Sequence, residues 1–240
     1  MQGTRGFMGW WRDFLAEIST TPSAQCALSV VAREARDLDF GFYAYAVKQA
    51  TPFTQPKFEI RGNYPAVWLD RYHAKSYGAS DPTIALGVSA SNFVVWSKDV
   101  KEKHPMLFSE AEEWGLKFGA TLTAVGAGNT LRILSFARRD EDIHDSQIAE
   151  LELRMNCVLD ALTRRLNVLE SSGGRTPISL SFREAEILKW TADGKSTDEV
   201  AAILSISINT VNFHIKNIQK KFGARNKLSA AAQAAALRLI

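Results

Sequence analysis

Tyr64, Trp68 and Tyr72 recur four residues apart, which places three aromatic rings with polar tips on one face of a helix. Asp81-Pro82-Thr83 follows, then Trp96, Phe108, Trp114 and, on a late strand, Ser135. Apolar rings with a few fixed hydrogen-bonding groups among them are what a cavity for a small amphiphilic ligand requires. Each residue alone also has a plainer reading, as a core aromatic with a satisfied tip or, for Asp81, a turn residue before proline. Both readings stay open on these residues alone.

A second constellation lies in 196–222, STDEVAAILSISINTVNFHIKNIQKKF. Ile208, Val211, Ile215, Ile218 and Phe222 have helical spacing and predict one buried face. The opposite face carries Asn209, Thr210, Asn212, Phe213, Lys216, Asn217, Gln219 and Lys220, hydrogen-bonding or cationic groups suited to phosphates and base edges. Asn212 and Lys216 sit one turn apart and would reach bases from one docking position, while Lys220, Lys221, Arg225 and Lys227 would contact phosphates.

The elements that position this face carry their own signals. Ser207 suits the N-cap of the reader helix, and Ser196 or Thr197 that of a shorter helix with Val200, Ala201 and Leu204, with Ser205-Ile206-Ser207 as the turn. Ser181 and Glu184 form an S-x-x-E capping box that opens a helix with Phe182, Ile187, Leu188 and Trp190, stopping at Gly194. Gly223 ends the reader helix and Asn226 caps an alanine-rich last helix, which is either a dimer face or packed on its own core.

The first 170 residues mix periods. Helical patterns run over 9–19, 24–37, 65–76 and 105–117, and strand patterns over 40–47, 58–61, 121–125 and 131–137, the last two forming a hairpin about Asn129. From Ser146 a long helix carries Ile148, Leu151, Met155, Val158, Leu162, Leu166 and Leu169 at near-heptad spacing, which suits a homodimer seam or a cover for the domain's own sheet. The expected fold is α+β: an N-terminal α-β-α sandwich with an antiparallel sheet over 1–170, a flexible linker over 171–177, and a C-terminal all-α four-helix helix-turn-helix domain over 178–240.

Of 240 residues 46% are hydrophobic, enough for two real cores. The net charge of +3 is uneven: 171–240 has ten Lys and Arg against five Asp and Glu, a net of +5, leaving −2 for the rest. Cys26 and Cys157 make no disulfide framework or metal spacing, and His73, His104, His144 and His214 have no ligand spacing. Ser135 sits in no nucleophile elbow, so an enzyme is not expected, and no βα alternation supports a phosphorylated receiver. No leader or membrane span is visible, so a cytoplasmic protein with no membrane partner is expected.

The run 180–240, with Trp190-Thr191-Ala192, Gly194-Lys195-Ser196, Ile203-Leu204-Ser205-Ile206-Ser207 and Thr210-Val211-Asn212-Phe213-His214, resembles the C-terminal domain of LuxR-type transcription regulators. Asn63-Tyr64-Pro65, Trp68, Arg71-Tyr72, Tyr77, Asp81-Pro82, Val95-Trp96, Trp114-Gly115-Leu116 and Gly119 resemble the autoinducer-binding domain of the family's quorum-sensing branch. The resemblance implies an N-acyl-homoserine lactone as effector, with no cofactor. Trp68 would donate to the lactone carbonyl, Asp81 accept from the amide N–H, and Tyr64 and Ser135 donate to the amide carbonyl. Tyr72, Trp96 and Phe108 would wall the ring, Phe108 standing where close relatives can carry tryptophan, and Thr83 joins the same ligand set.

Gly6-Phe7 with Trp10-Trp11, Tyr43-Ala44-Tyr45, Pro52-Phe53-Thr54 and Gly119-Ala120-Thr121-Leu122 resemble the rhamnolipid-regulating branch of pseudomonads. That branch implies a short-chain N-butanoyl lactone and a hydrolase-fold helper protein. The bulky Phe58 and Ile60 on the expected tail path agree with a short tail. The family implies a homodimer that binds double-stranded DNA at an inverted-repeat operator and mostly activates RNA polymerase.

Overall fold

The computed structural model describes residues 6–53, 56–89, 92–172 and 178–240. It forms two compact units, the first holding a five-stranded sheet and its helices, the second four C-terminal helices.

The strands are β1 (Phe42–Lys48), β2 (Phe58–Gly62), β3 (Phe93–Val95), β4 (Phe118–Val125) and β5 (Leu131–Arg138), ordered β2-β1-β5-β4-β3. β3 runs antiparallel to β4, with Phe93 opposite Leu122 and Val95 opposite Ala120. Lys117 N–H donates to the Arg138 carbonyl at 3.2 Å and Gly126 N–H to that of Thr130 at 2.7 Å, which makes β4 and β5 the expected antiparallel hairpin.

Alternation along the strands separates two faces. Tyr43, Tyr45, Leu122, Leu134 and Phe136 join a core with α1 (Phe7–Thr20), α2 (Ala24–Asp37) and α7 (Asp145–Ser172). Ala44, Ala46, Thr121, Ile133 and Ser135 face the other way, towards α3 (Ala66–Ala74), α4 (Pro82–Ser89) and α6 (Pro105–Glu113). The layers are therefore helix, sheet, helix, as expected. The sequence reading missed α4, β3 and the short α5 (Lys98–Lys101), because eight, three and four residues are too few to establish a period.

Of the two readings of the α7 stripe, the structure bears out the cover for the domain's own sheet and not the dimer seam. Leu151, Met155, Val158, Leu162 and Leu166 are all buried in the first unit's own core, and Ile148 and Leu169 pack against it. A stripe of that width fits a sheet as well as a second helix, and here it covers the sheet and α1 and α2. The helix also continues through Ser172, into the stretch expected to be linker, while 173–177 and Thr54 lie outside the described residues.

The second unit has α8 (Phe182–Ala192), α9 (Thr197–Ile203), α10 (Ile208–Phe222) and α11 (Lys227–Ala236). Ser181–Glu184 and Ser196–Glu199 close as capping boxes, Ser207 Oγ accepts from Thr210 N–H, and Asn226 Oδ1 accepts from Ser229 N–H. Gly223 ends α10 at φ +61°, a left-handed geometry that favours glycine. Ile187, Leu188, Val200, Val211 and Ile218 form the core. Ala230, Ala231 and Ala234 of α11 are buried in it too, so these small residues serve their own core. Ile208 and Phe182, expected in apolar rows, are 48% and 82% exposed. Each is the first residue of its helix, before the chain has turned onto the core.

Candidate functional site

The helical face of the sheet encloses a cavity of about 60 Å³. Its floor is small, Ala44, Ala46 and Ser135, and the absence of bulk there leaves the space. All eight sequence-predicted ligand residues line it: Tyr64, Trp68, Tyr72, Asp81, Thr83, Trp96, Phe108 and Ser135. α3 presents Trp68 and Tyr72 one turn apart, α4 begins beside Asp81, and α6 brings Phe108. Phe58 and Ile60 also reach the wall, with Phe58 stacked on Tyr72.

The polar atoms are fixed by one another. Asp81 Oδ1 accepts from Thr83 N–H at 2.9 Å and Thr83 Oγ1 at 2.7 Å, and Oδ2 accepts from Tyr72 OH at 3.0 Å. Trp96 Nε1 donates to Thr121 Oγ1 at 2.9 Å, which lies 3.0 Å from Ser135 Oγ. Thr121 is a polar site residue that the sequence reading missed. The signal was available, since Thr121 and Thr123 fall between Ala120, Leu122 and Ala124 on the opposite pleat.

Burial raises the Asp81 carboxyl above the usual aspartate range, against the pull of its Thr83 and Tyr72 hydrogen bonds. Tyr72 is pushed well up by burial and by the Asp81 charge. The Tyr64 hydroxyl is buried beside Ser135 but makes no hydrogen bond of acceptable geometry. It is held neutral, a donor without an acceptor. The site thus offers an acceptor, Asp81, and a free donor, Tyr64, between aromatic walls. Gly119 seats one wall: a Cβ there would lie 2.9 Å from the Trp96 ring.

In the second unit, α10 leaves Asn209, Asn212, Phe213, Lys216 and Lys220 exposed, with Arg225 exposed just beyond it. Thr210 is half-buried and its hydroxyl shares a hydrogen bond with Ser207 Oγ. Lys221 departs from the expected phosphate contact. Its ammonium binds Glu184 Oε2 at 2.8 Å and the Ser179 carbonyl at 2.9 Å. Burial works against the Glu184 charge, but Lys221 and the Ser181 cap outweigh it and hold the carboxyl below its usual range. Lys227 likewise donates to Thr197 Oγ1 at 3.1 Å.

Among the described residues no group of three or more His, Cys, Asp or Glu could hold a metal, and no helix is long and apolar enough to cross a membrane.

Residues 23–166 match the family model of the autoinducer binding domain, and 178–234 that of the bacterial regulatory proteins of the luxR family. The chain is 47% identical over 241 residues to the HTH-type quorum-sensing regulator RhlR of Pseudomonas aeruginosa, covering 100% of both. It is 35% identical over 237 residues to the regulatory protein SdiA of Escherichia coli, covering 98% of this chain and 99% of that one. The crystal structure of SdiA matches with a TM-score of 0.85 over 98% of this chain and 99% of that one. A structure of SdiA in complex with octanoyl-rac-glycerol matches at 35% identity with a TM-score of 0.82, over 99% and 97%. With both halves matched and relatives similar along its whole length, the chain belongs to the luxR family of bacterial regulatory proteins, as a ligand-binding helix-turn-helix transcription regulator of the quorum-sensing kind and not an enzyme.

Proposed function

We propose that the chain is a receptor for a short-chain N-acyl-homoserine lactone, which enters the cavity, supports a homodimer and drives binding to an inverted-repeat operator. The observation that carries this is the pairing of a buried carboxylate with an unpartnered buried hydroxyl. Asp81 would accept from an amide N–H, and Tyr64 would donate to the adjoining carbonyl. Trp68 would donate to the lactone carbonyl, Ser135 would support Tyr64, and Trp96, Phe108 and Tyr72 would enclose the ring. Phe58 and Ile60 in the wall of so small a cavity favour a tail such as butanoyl.

Ligand binding and folding are linked. A buried polar atom without a partner costs about 1–3 kcal/mol, and a ligand at 100 times its Kd adds about 2.7 kcal/mol to the folded state. The working division is a sensor over 1–172, a linker over 173–177 and a DNA-binding domain over 178–240, in which Asn209, Thr210, Asn212, Phe213 and Lys216 face base edges while Lys220 and Arg225 face phosphates. Action at promoters would be activation through RNA polymerase, and a hydrolase-fold helper protein belongs to the same reading.

The test is soluble yield and melting temperature with a panel of acyl-homoserine lactones of differing tail length. A gain that peaks at a short tail and vanishes in Asp81→Ala supports the reading; no gain with any lactone overturns it. Octanoyl-glycerol belongs in the panel, because the solved SdiA complex holds it and its ester and hydroxyls could use the same donor and acceptor. A gain with it alone would replace the lactone.

A further inference from the structure

The first unit has a second hollow, a solvent-facing cleft of about 430 Å³ beside α5 and the start of α6. Trp96 and Phe108 line both this cleft and the inner cavity. Their rings meet edge-on with centroids 5.9 Å apart, and they are the two residues that the linings of both spaces share.

The two rings are restrained differently. Trp96 is anchored through its indole N–H to Thr121 and its backbone N–H to the Gly119 carbonyl at 2.8 Å, with its ring against Gly119. Phe108 has no polar side-chain atom and is held by packing alone. Its helix is braced by Lys101, which binds Glu112 at 3.0 Å and the Lys117 carbonyl at 2.7 Å. Beyond the rings the cleft has an apolar floor, Pro105 and Phe118, and the rim lysines Lys98 and Lys101 are each paired with a glutamate. Such a passage suits a small neutral amphiphile: with both lysines paired, only Asp142 adds an uncompensated charge to the lining, and a negative charge has no special hold on a neutral ligand.

We propose that this cleft is the port by which the ligand enters and leaves, with Trp96 as its fixed side, the Phe108 ring as its movable leaf and Lys101 as the brace. The proposal rests on the reading of the inner cavity as the lactone site. A port alters rates and leaves the equilibrium alone, since obstruction slows entry and exit by the same factor.

The experiment uses full-length protein loaded with N-butanoyl-homoserine lactone and follows its exchange for the deuterated lactone by mass spectrometry. Cys26→Ser and Cys157→Ser supply a background in which Ser109→Cys, on the exposed rim, is labelled with a bulky maleimide. The label should slow exchange by about tenfold or more with Kd unchanged, and unlabelled Lys101→Met should exchange faster than wild type. The same label at Glu59→Cys, beside the cavity residues Phe58 and Ile60, is the control for a mouth at β2. Unchanged exchange with the Ser109 label, slowing by the Glu59 label instead, or a change in Kd matching the change in rate would overturn the port while leaving the lactone site standing. Failure of the unlabelled protein to bind the lactone would overturn both.

Discussion

The Tyr72 hydroxyl donates to Asp81 Oδ2 at 3.0 Å while Thr83 holds Oδ1 through two bonds, so the carboxylate is aimed before any ligand arrives. Preorganisation of this kind removes ordering cost from binding. Tyr72→Phe should weaken lactone binding by about 1.5–3 kcal/mol, the worth of a hydrogen bond to a charged group. Titration calorimetry checks it, and Thr83→Val should act in the same direction.

Tyr64→Phe separates folding from sensing. In the empty protein it deletes a buried donor that has no acceptor, so the melting temperature without ligand should stay level or rise. The gain on adding lactone should shrink, because the carbonyl partner is lost. A variant that melts lower without ligand would show that the hydroxyl is already satisfied.

Asp81 sets a pH dependence of defined sign. Its folded pKa is raised by burial, so its contribution to the empty protein is most favourable below the ordinary value of about 3.9 and is lost as pH rises to the folded value. Lactone N–H favours the carboxylate, so binding should tighten with rising pH through that window and release a proton. Glu34 is also raised by burial, and the comparison should therefore be wild type minus Asp81→Asn. Calorimetry in buffers of different ionisation enthalpy reads the proton directly.

The cations of α10 divide into two kinds. Lys220→Ala should leave stability unchanged, weaken all DNA sequences alike and reduce the slope of log K against log salt by about 0.9. Lys221→Met should instead lower stability by about 1–2 kcal/mol, discounted because the lysine is 39% exposed, by stripping the buried Glu184 of its partner. Asn212→Ala should relax discrimination at its base by about 1–3 kcal/mol. Urea unfolding together with binding to operator and scrambled DNA distinguishes the three.

Leu162→Ala tests the role of α7 as a cover for its own sheet. A fully buried leucine in the first unit's own core should cost about 2–5 kcal/mol, independent of protein concentration. Loss that appears only on dilution would return the stripe to a dimer seam.

The sequence by itself determined what depends on neighbours a few residues away. Ser181, Ser196, Ser207 and Asn226 cap the helices they were expected to cap, because a cap needs only its own chain three residues on. The hairpin of β4 and β5 was likewise legible from its turn about Asn129, whereas the alternation that gives Thr121 to the cavity face was present but unread. Tertiary structure decided what depends on the partner surface. Periodicity shows that α7 has an apolar stripe but not what covers it, and the sheet of its own unit does. Residue type makes Lys221 a candidate for phosphate, but only the approach of Glu184, 37 positions earlier in the chain, commits its charge inside the domain. The cavity exists because Ala44 and Ala46 of β1 and Ser135 of β5 leave a gap under the aromatic rings of α3 and α6. A gap has no sequence of its own, since it is the volume that neighbouring side chains leave unfilled.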